Sequence, residues 1–347
     1  MYICDNLKDM PEILINFPLQ AHTTFGVKVN TRYYCTVSSN NDIRSVLTDD
    51  RFRSLPRLIL GGGSNILFTK DFKGLVVHPE FDGKVIIEEN DHEVVVRAGS
   101  GLDWDSFVKW AVDNKYGGVE NLSAIPGLVG ASPIQNIGAY GCEVKDVIER
   151  VEGYDLDKKQ SLTFNRKQCA FGYRSSLFKK EEFRNRFLVT HVWYRLQKEP
   201  HRLMTHYGPI EEMLEKYPEK TISTLREVII KIRQAKLPDH KVTGNAGSFF
   251  KNPVITKRKA DELIRSYTEM PRFESEQGIK LSAAWLIDHA GLKGFRMGNA
   301  ATHEHQPLVL INTGGATGNE ILELARHVRK IVKERFGVEL EPEVNII

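Results

Sequence analysis

The stretch Leu58 to Leu67, LILGGGSNIL, runs from an apolar segment into three glycines, a serine and an asparagine. Three bare backbone N–H groups beside a hydroxyl and an amide make a cradle for a phosphate or pyrophosphate, and the same residues also suit a tight structural turn. The spacing is not G-x-x-x-x-G-K-[ST], and no G-x-G-x-x-G opens a clear helix here. A second stretch, Ser123 to Glu143 (SAIPGLVGASPIQNIGAYGCE), has Glu143 as its only charged residue. Its small residues and amides suit a planar, partly apolar ligand lying against backbone, or else a buried crossover loop. Two such elements in one half of a chain suit a dinucleotide, with pyrophosphate at one and a ring system at the other. Neither resembles a Rossmann unit.

Polar residues in apolar settings recur further on. Gly172-Tyr173-Arg174-Ser175 puts a cation after a turn, and Lys236-Leu237-Pro238 ends a helical pattern with a positive charge. Gly247-Ser248-Phe249-Phe250-Lys251-Asn252 puts a hydroxyl between a glycine turn and two aromatics. Leu340-Glu341-Pro342-Glu343-Val344 sets two carboxylates around a proline. Each also has a bland reading: a surface ion pair for Arg174, a cap for Ser248, a solvated edge carboxylate for Glu343. Tyr207, in His206-Tyr207-Gly208, is an aromatic beside glycine in a polar loop, which is a mild binding signal. His303 and His305 lack the partners of a ligand set, so no metal site is expected. Cys4, Cys35, Cys142 and Cys169 are scattered, with no C-x-x-C pair and no His at a recognisable spacing, which disfavours zinc, a disulfide framework and a thiolate nucleophile.

Short β-branched runs must hold the first set of residues: Leu75-Val76-Val77, Val85-Ile86-Ile87 and Val94-Val95-Val96 read as strands. Leu102 to Asn114 has helical spacing, with Trp104 and Trp110 as packing residues. Phe187 to Leu196 alternates as a strand, and no helix period interrupts Arg150 to Leu196 convincingly. After Pro200 helices dominate: Thr224 to Ala235, Ile255 to Met270 and Leu281 to Ala290, with Leu308 to Ile311 as a buried strand. Thr317 and Glu320 form a capping box for a last helix that Gly337 ends, and Val338 to Val344 reads as a closing strand. Boundaries near residues 72 and 218 divide the 347 residues into three parts of an α+β architecture, 1–72, 73–218 and 219–347.

Lys+Arg 48 against Asp+Glu 45 leaves a net charge of +3, too balanced for bulk nucleic-acid binding, and no basic block supplies a local footprint. No apolar run approaches the roughly 20 residues that span a bilayer. Met1 to Phe17, carrying Asp5, Lys8, Asp9 and Glu12, lacks the build of a secretory signal. A cytoplasmic enzyme is the expectation.

Across these motifs the chain resembles the UDP-N-acetylenolpyruvoylglucosamine reductase (UDP-N-acetylmuramate dehydrogenase) family. The resemblance runs from His22-Thr23-Thr24-Phe25-Gly26 to Leu340-Glu341-Pro342-Glu343-Val344. It is most specific in Ile125 to Gly141, Phe171 to Lys179 and Gly244 to Pro253. It implies a two-part FAD-binding domain of the vanillyl-alcohol oxidase-like (PCMH) type, followed by an α+β substrate domain. Carried over, Gly61, Gly62, Gly63, Ser64 and Asn65 would hold the FAD pyrophosphate. Ile125, Gly127, Ser132, Asn136 and Gly138 would line its ribityl chain and ring. Arg174, Ser248 and Glu343 match the catalytic positions, and Tyr140, Tyr207, Lys236, Asn252 and Gln306 the substrate-binding ones. The Tyr207 loop resembles the longer of the family's two types, in which a tyrosine closes over the sugar nucleotide. Asn345 stands where some relatives have a basic residue.

The implied reaction consumes NADPH as co-substrate and reduces UDP-N-acetylglucosamine enolpyruvate to UDP-N-acetylmuramate, in peptidoglycan precursor synthesis. Hydride addition to the enol ether leaves negative charge that spreads into the carboxylate, which Arg174 would polarise and Glu343, kept protonated by burial, would support. Ser248 would supply the proton. A compact cation at Lys236 suits a pyrophosphate shared by substrate and NADPH in turn. A monomer is expected, with no nucleic-acid or membrane partner. A flavin oxidase on the same scaffold, and a binding protein without chemistry, are the alternatives.

Overall fold

The computed structural model describes residues 10–275 and 277–347, so Cys4, Asp5, Lys8 and Asp9 lie outside the described residues. The fold is α+β and forms two compact units. The first holds the described residues up to Phe17 with Thr31–Gly62 and Lys73–Arg233; the second holds Pro18–Asn30, Gly63–Phe72 and Gln234–Ile347.

In the first unit a five-stranded antiparallel sheet runs in the order Gln160–Asn165, Ile148–Asp155, Phe187–Gln197, Glu93–Gly99, Lys84–Glu89. Alternation decides which face is core: Val192, Tyr194 and Leu196 are fully buried, while His191, Trp193 and Arg195 between them are not. Against that face lies the helix Trp104–Asp113. Asp103 caps it by accepting from the Ser106 N–H at 2.8 Å, and it buries Trp104, Phe107, Val108, Ala111 and Val112. Burying each of the larger side chains contributes roughly 1.5–3 kcal/mol. The Trp104 indole N–H donates to the Leu122 carbonyl at 2.8 Å, so its polar edge is satisfied inside the core.

A four-stranded sheet stands beside this in the order Leu14–Pro18, Asn30–Val37, Phe72–Pro79, Arg57–Ile59, the last two parallel. The helix Asn40–Thr48, opened by a Ser39–Asp42 capping box, buries Ile43 and Val46. The sequence reading does not include it, although Ile43 and Val46 stand at helical spacing behind the Ser39–Asp42 box.

The second unit carries a four-stranded sheet, Gly244–Ser248, Val309–Asn312, Ala300–Thr302, Arg296–Met297, and a three-stranded one, Val254–Ile255, Gly278–Leu281, Arg272–Ser275. Its longest helix, Gly318–Phe336, has the expected Thr317–Glu320 box and ends at Gly337 with φ 65°. The expected closing strand over Val338 to Val344 is corrected: only Asn345–Ile346 forms a strand, parallel to Ile66–Leu67, and Pro342 makes an isolated bridge with Phe250. The segment alternates in burial as a strand does, but Pro342 has no N–H to continue a ladder.

One buried ion pair ties the helix Trp104–Asp113 to the helix Ile222–Lys236. The Arg226 guanidinium, 9% exposed, donates to both oxygens of Asp105 at 2.6 and 2.9 Å, and Asp105 also accepts from the Ala124 N–H at 2.6 Å. Burial pushes the Asp105 carboxyl up, yet these donors and the charges of Arg226 and Arg233 outweigh it and hold the group below the ordinary carboxylate value. A carboxyl depressed in this way gives stability that is present above its unfolded pKa of about 4 and lost as pH falls through the lower folded value. Arg226→Leu is therefore expected to cost about 1–2 kcal/mol in urea unfolding at neutral pH, since it removes the two-pronged partner of a carboxylate whose side chain is 34% exposed and leaves only the more distant charge of Arg233. Asp105→Asn should flatten the acid-side decline in stability below about pH 4. An unchanged unfolding midpoint for Arg226→Leu contradicts this account.

Candidate active site

The two glycine-rich segments meet. Gly62 lies backbone to backbone on Gly127: a Cβ built at Gly62 would stand 2.9 Å from the Gly127 Cα, so no side chain fits between them. Gly61 faces Leu128 and Ala131 at ordinary contact distance. The first two glycines of the triplet thus belong to the first unit, while Gly63, Ser64 and Asn65 belong to the second. Gly63 has φ 61°, and a Cβ there would strike the His22 carbonyl oxygen; its own carbonyl accepts from the Thr24 N–H at 3.1 Å. Among the described residues, the N–H groups of Gly61, Gly62, Gly63 and Ser64 donate no hydrogen bond.

Around the low-charge segment, Ala124, Asn136, Tyr140 and Arg174 all hold left-handed backbone, with φ of 56°, 49°, 49° and 51°. Each costs roughly 1–3 kcal/mol for a residue with a Cβ, and such strain gathers where a ligand needs a particular backbone shape. Asn136, fully buried, donates to the Gly172 carbonyl at 3.0 Å and accepts from the Lys145 N–H at 3.0 Å. The Ser132 hydroxyl is bonded at 2.8 Å to Tyr194 inside the core, its N–H donates to the Val129 carbonyl at 3.1 Å and its carbonyl accepts from the Ile137 N–H at 3.1 Å. Ile125 packs partly on the same core. Arg174 lies over the Tyr173 ring at 5.4 Å and donates to the Gly138 carbonyl at 2.7 Å. Tyr140 and Tyr207 meet edge to face at 6.0 Å and 87°, with Tyr207 54% exposed.

In the second unit, the strand Gly244–Ser248 leaves Ser248 exposed and then buries Phe249 and Phe250 completely. The Phe249 carbonyl accepts from the Glu343 N–H at 2.8 Å, and the Asn65 amide donates to the Glu343 carbonyl at 3.2 Å. Ser248 and Glu343, 95 positions apart in sequence, are therefore held side by side by main-chain bonds. Gln306 opens the turn into the strand Val309–Asn312, which pairs Val309 with Ser248, and its own carbonyl accepts from the Val309 N–H at 2.9 Å. Asn252 accepts from the Ala283 N–H at 3.0 Å. Lys236 is exposed at the end of its helix, and two residues on the Pro238 carbonyl accepts from Asn245, near Ser248.

Two residues escaped the sequence reading. Arg233 hydrogen-bonds the Tyr140 hydroxyl; burial lowers its pKa from the ordinary value, opposed by Tyr140 and Asp105. Its place one turn before Lys236 was the available signal. Asn121, buried beside Tyr140, gave none. A cavity of about 330 Å³ lined by Arg97, Glu152 and His191 lies elsewhere in the first unit and contains none of the residues expected from sequence. Burial, then the Arg97 charge, pushes the His191 pKa down to about 4. Gly62→Ala should drive the turn off Gly127 and cost about 1–3 kcal/mol by overpacking, read as a lowered unfolding midpoint. A neutral Gly62→Ala would mean that the close approach does not matter.

Residues 31–157 match the FAD binding domain family, and residues 238–347 match the C-terminal domain of UDP-N-acetylenolpyruvoylglucosamine reductase. The reductase of that name from Flavobacterium johnsoniae is 43% identical over 97% of this chain and 100% of its own length. That from Bacteroides fragilis is 44% identical over 95% and 99%. The crystal structure of the reductase from Thermus caldophilus superposes with a TM-score of 0.66 at 23% identity, covering 97% of this chain and 98% of that one. With identity at this level over nearly the whole of both sequences, the chain belongs to the UDP-N-acetylenolpyruvoylglucosamine reductase family.

Proposed function

We propose that the chain is an FAD-dependent oxidoreductase that uses NADPH to reduce UDP-N-acetylglucosamine enolpyruvate to UDP-N-acetylmuramate for peptidoglycan precursor synthesis. The observation that carries this reading is the main-chain bracket that sets an exposed Ser248 beside Glu343 on buried aromatic anchors. The residues present also fit the flavin. Four consecutive N–H groups, Gly61 to Ser64, without an internal acceptor among the described residues, and a glycine backbone that no Cβ obstructs, suit a pyrophosphate. Ile125, Gly127, Ser132, Asn136 and Gly138 follow as backbone for the ribityl chain and ring, with Asn65 beside the phosphates.

Bound FAD supplies the hydride relay from NADPH to the enolpyruvyl group. The chain's own residues handle charge and proton. Arg174, whose guanidinium donates to the Gly138 carbonyl, would polarise the substrate carboxylate as negative charge spreads into it. Glu343, partly buried, supports the same charge as an acid. The Ser248 hydroxyl donates the proton that completes the product; being neutral, it brings no charge to compete with Arg174. Lys236 meets the pyrophosphate, Tyr140 and Tyr207 close on the nucleotide, and Asn252 and Gln306 complete its polar contacts.

The functional division is proposed as 1–72 and 73–218 for FAD and 219–347 for substrate. The enzyme is read as a cytoplasmic monomer without nucleic-acid or membrane partners. The near-balanced charge supports the absence of a nucleic-acid partner, and among the described residues no helix is long and apolar enough to cross a membrane.

The purified protein is expected to be yellow and to bleach when NADPH is added without oxygen; a colourless protein that FAD cannot reconstitute would sink the reading. Ser248→Ala is expected to keep flavin reduction by NADPH and to lose turnover of the enolpyruvyl substrate by about a hundredfold or more. Equal losses in both half-reactions, measured by stopped flow, would remove Ser248 from the proton-donor role.

A further inference from the structure

Asn121 is 1% exposed, and its side-chain N–H₂ is fully engaged. One hydrogen bond goes to the Tyr140 carbonyl at 3.1 Å and one to the Met204 carbonyl at 2.9 Å. The price of that orientation is visible on the other side of the amide: its oxygen is buried with no hydrogen-bond partner. Orphaned buried acceptors are rare, and rotating the amide would abandon both carbonyls. The two carbonyls belong to segments 64 positions apart, each carrying one of the two tyrosines. Tyr140 sits on strained left-handed backbone, and Met204 lies three residues before Tyr207. Beyond this point the loop shows little that would hold it: Met204 is 39% and Tyr207 54% exposed. What the rings share is the edge-to-face contact at 6.0 Å.

We propose that Asn121 is a positioning residue for substrate, a buried post from which the Tyr140 turn and the Tyr207 loop both hang, so that the two rings keep a fixed separation. The proposal rests on the assignment of Tyr140 and Tyr207 to substrate binding. Asn121 touches no reacting atom. It acts by limiting the conformations the tyrosine loop samples before the nucleotide arrives, so its loss reaches binding and spares the chemical step. Aspartate at this position has the same shape but turns both donors into acceptors facing two carbonyls.

The test uses the FAD-loaded enzyme and UDP-N-acetylglucosamine enolpyruvate. Asn121→Ala is expected to raise KM, and the dissociation constant read from the flavin absorbance change, by about tenfold, with kcat within about twofold of wild type. In a Tyr207→Ala background the same substitution should add less than about a twofold loss, because the ring it positions is gone. Backbone amides of residues 203–208 should exchange faster with deuterium. If Asn121→Ala does not fold, Asn121→Asp carries the same readouts. Additive losses with Tyr207→Ala overturn the proposal, as does unchanged exchange in residues 203–208, or failure of both variants to hold FAD, which would make the role structural. Faster exchange together with unaltered substrate binding in Tyr207→Ala alone would leave the Asn121 anchor standing and overturn the assignment of Tyr207.

Discussion

Backbone meeting backbone at Gly62 and Gly127 is the constraint on which the first unit's chemistry depends. A Cβ built at Gly62 would stand 2.9 Å from the Gly127 Cα, so the two segments can come this near only with glycine at position 62. The contact seats the turn at Gly61 and Gly62 against the start of the low-charge segment. The rest of that unit reads as support for it. The Trp104–Asp113 helix delivers Asp105 to the Ala124 N–H, at the start of the low-charge segment, and Arg226 neutralises the carboxylate that does so. Left-handed backbone at Ala124, Asn136, Tyr140 and Arg174 is held in place by such bonds; without them it would relax to ordinary dihedrals.

The second unit solves a different problem, which is to present one hydroxyl and one carboxyl from distant parts of the sequence. Glu343 is fixed by its own N–H bond to the Phe249 carbonyl and by the Asn65 side-chain amide on its carbonyl, and two fully buried phenylalanines follow Ser248. Backbone bonds of this kind fix where a residue stands whatever its side chain goes on to bind. A site built this way also tolerates the modest packing around Lys236 and Gln306, since neither determines where Ser248 points.

Much of this was legible in the residues. Strands with strict alternation, such as Phe187–Gln197, and a helix with both caps written out, such as Gly318–Phe336, follow from local physics alone. The motif residues were legible through their resemblance to a family, whereas spacing by itself left each with a bland alternative. What escaped did so for physical reasons. The helix Asn40–Thr48 is short, and its two buried side chains, Ile43 and Val46, are one turn apart, so its period spans little more than a single turn. The segment from Val338 to Val344 alternates like a strand, but Pro342 cannot donate to a ladder. Asn121 and Arg233 matter through what they hold, and a supporting residue has no signature until its partners are known.

The second unit is assembled from three separated stretches of chain, and its parallel pairing of Ile66–Leu67 with Asn345–Ile346 joins the first half of the molecule to the last few residues. Thr69 reaches Ile347 and Asn65 reaches Asn345 across about 280 positions, so Gly63 to Phe72, which meets Thr24 and Asn30 early, completes its contacts only when those distant residues exist. Such long-range closure is slow and entropically costly. On the ribosome, the latter half of the glycine triplet is made long before Asn345 and Ile346, so the parallel pairing that follows it is among the later contacts to form.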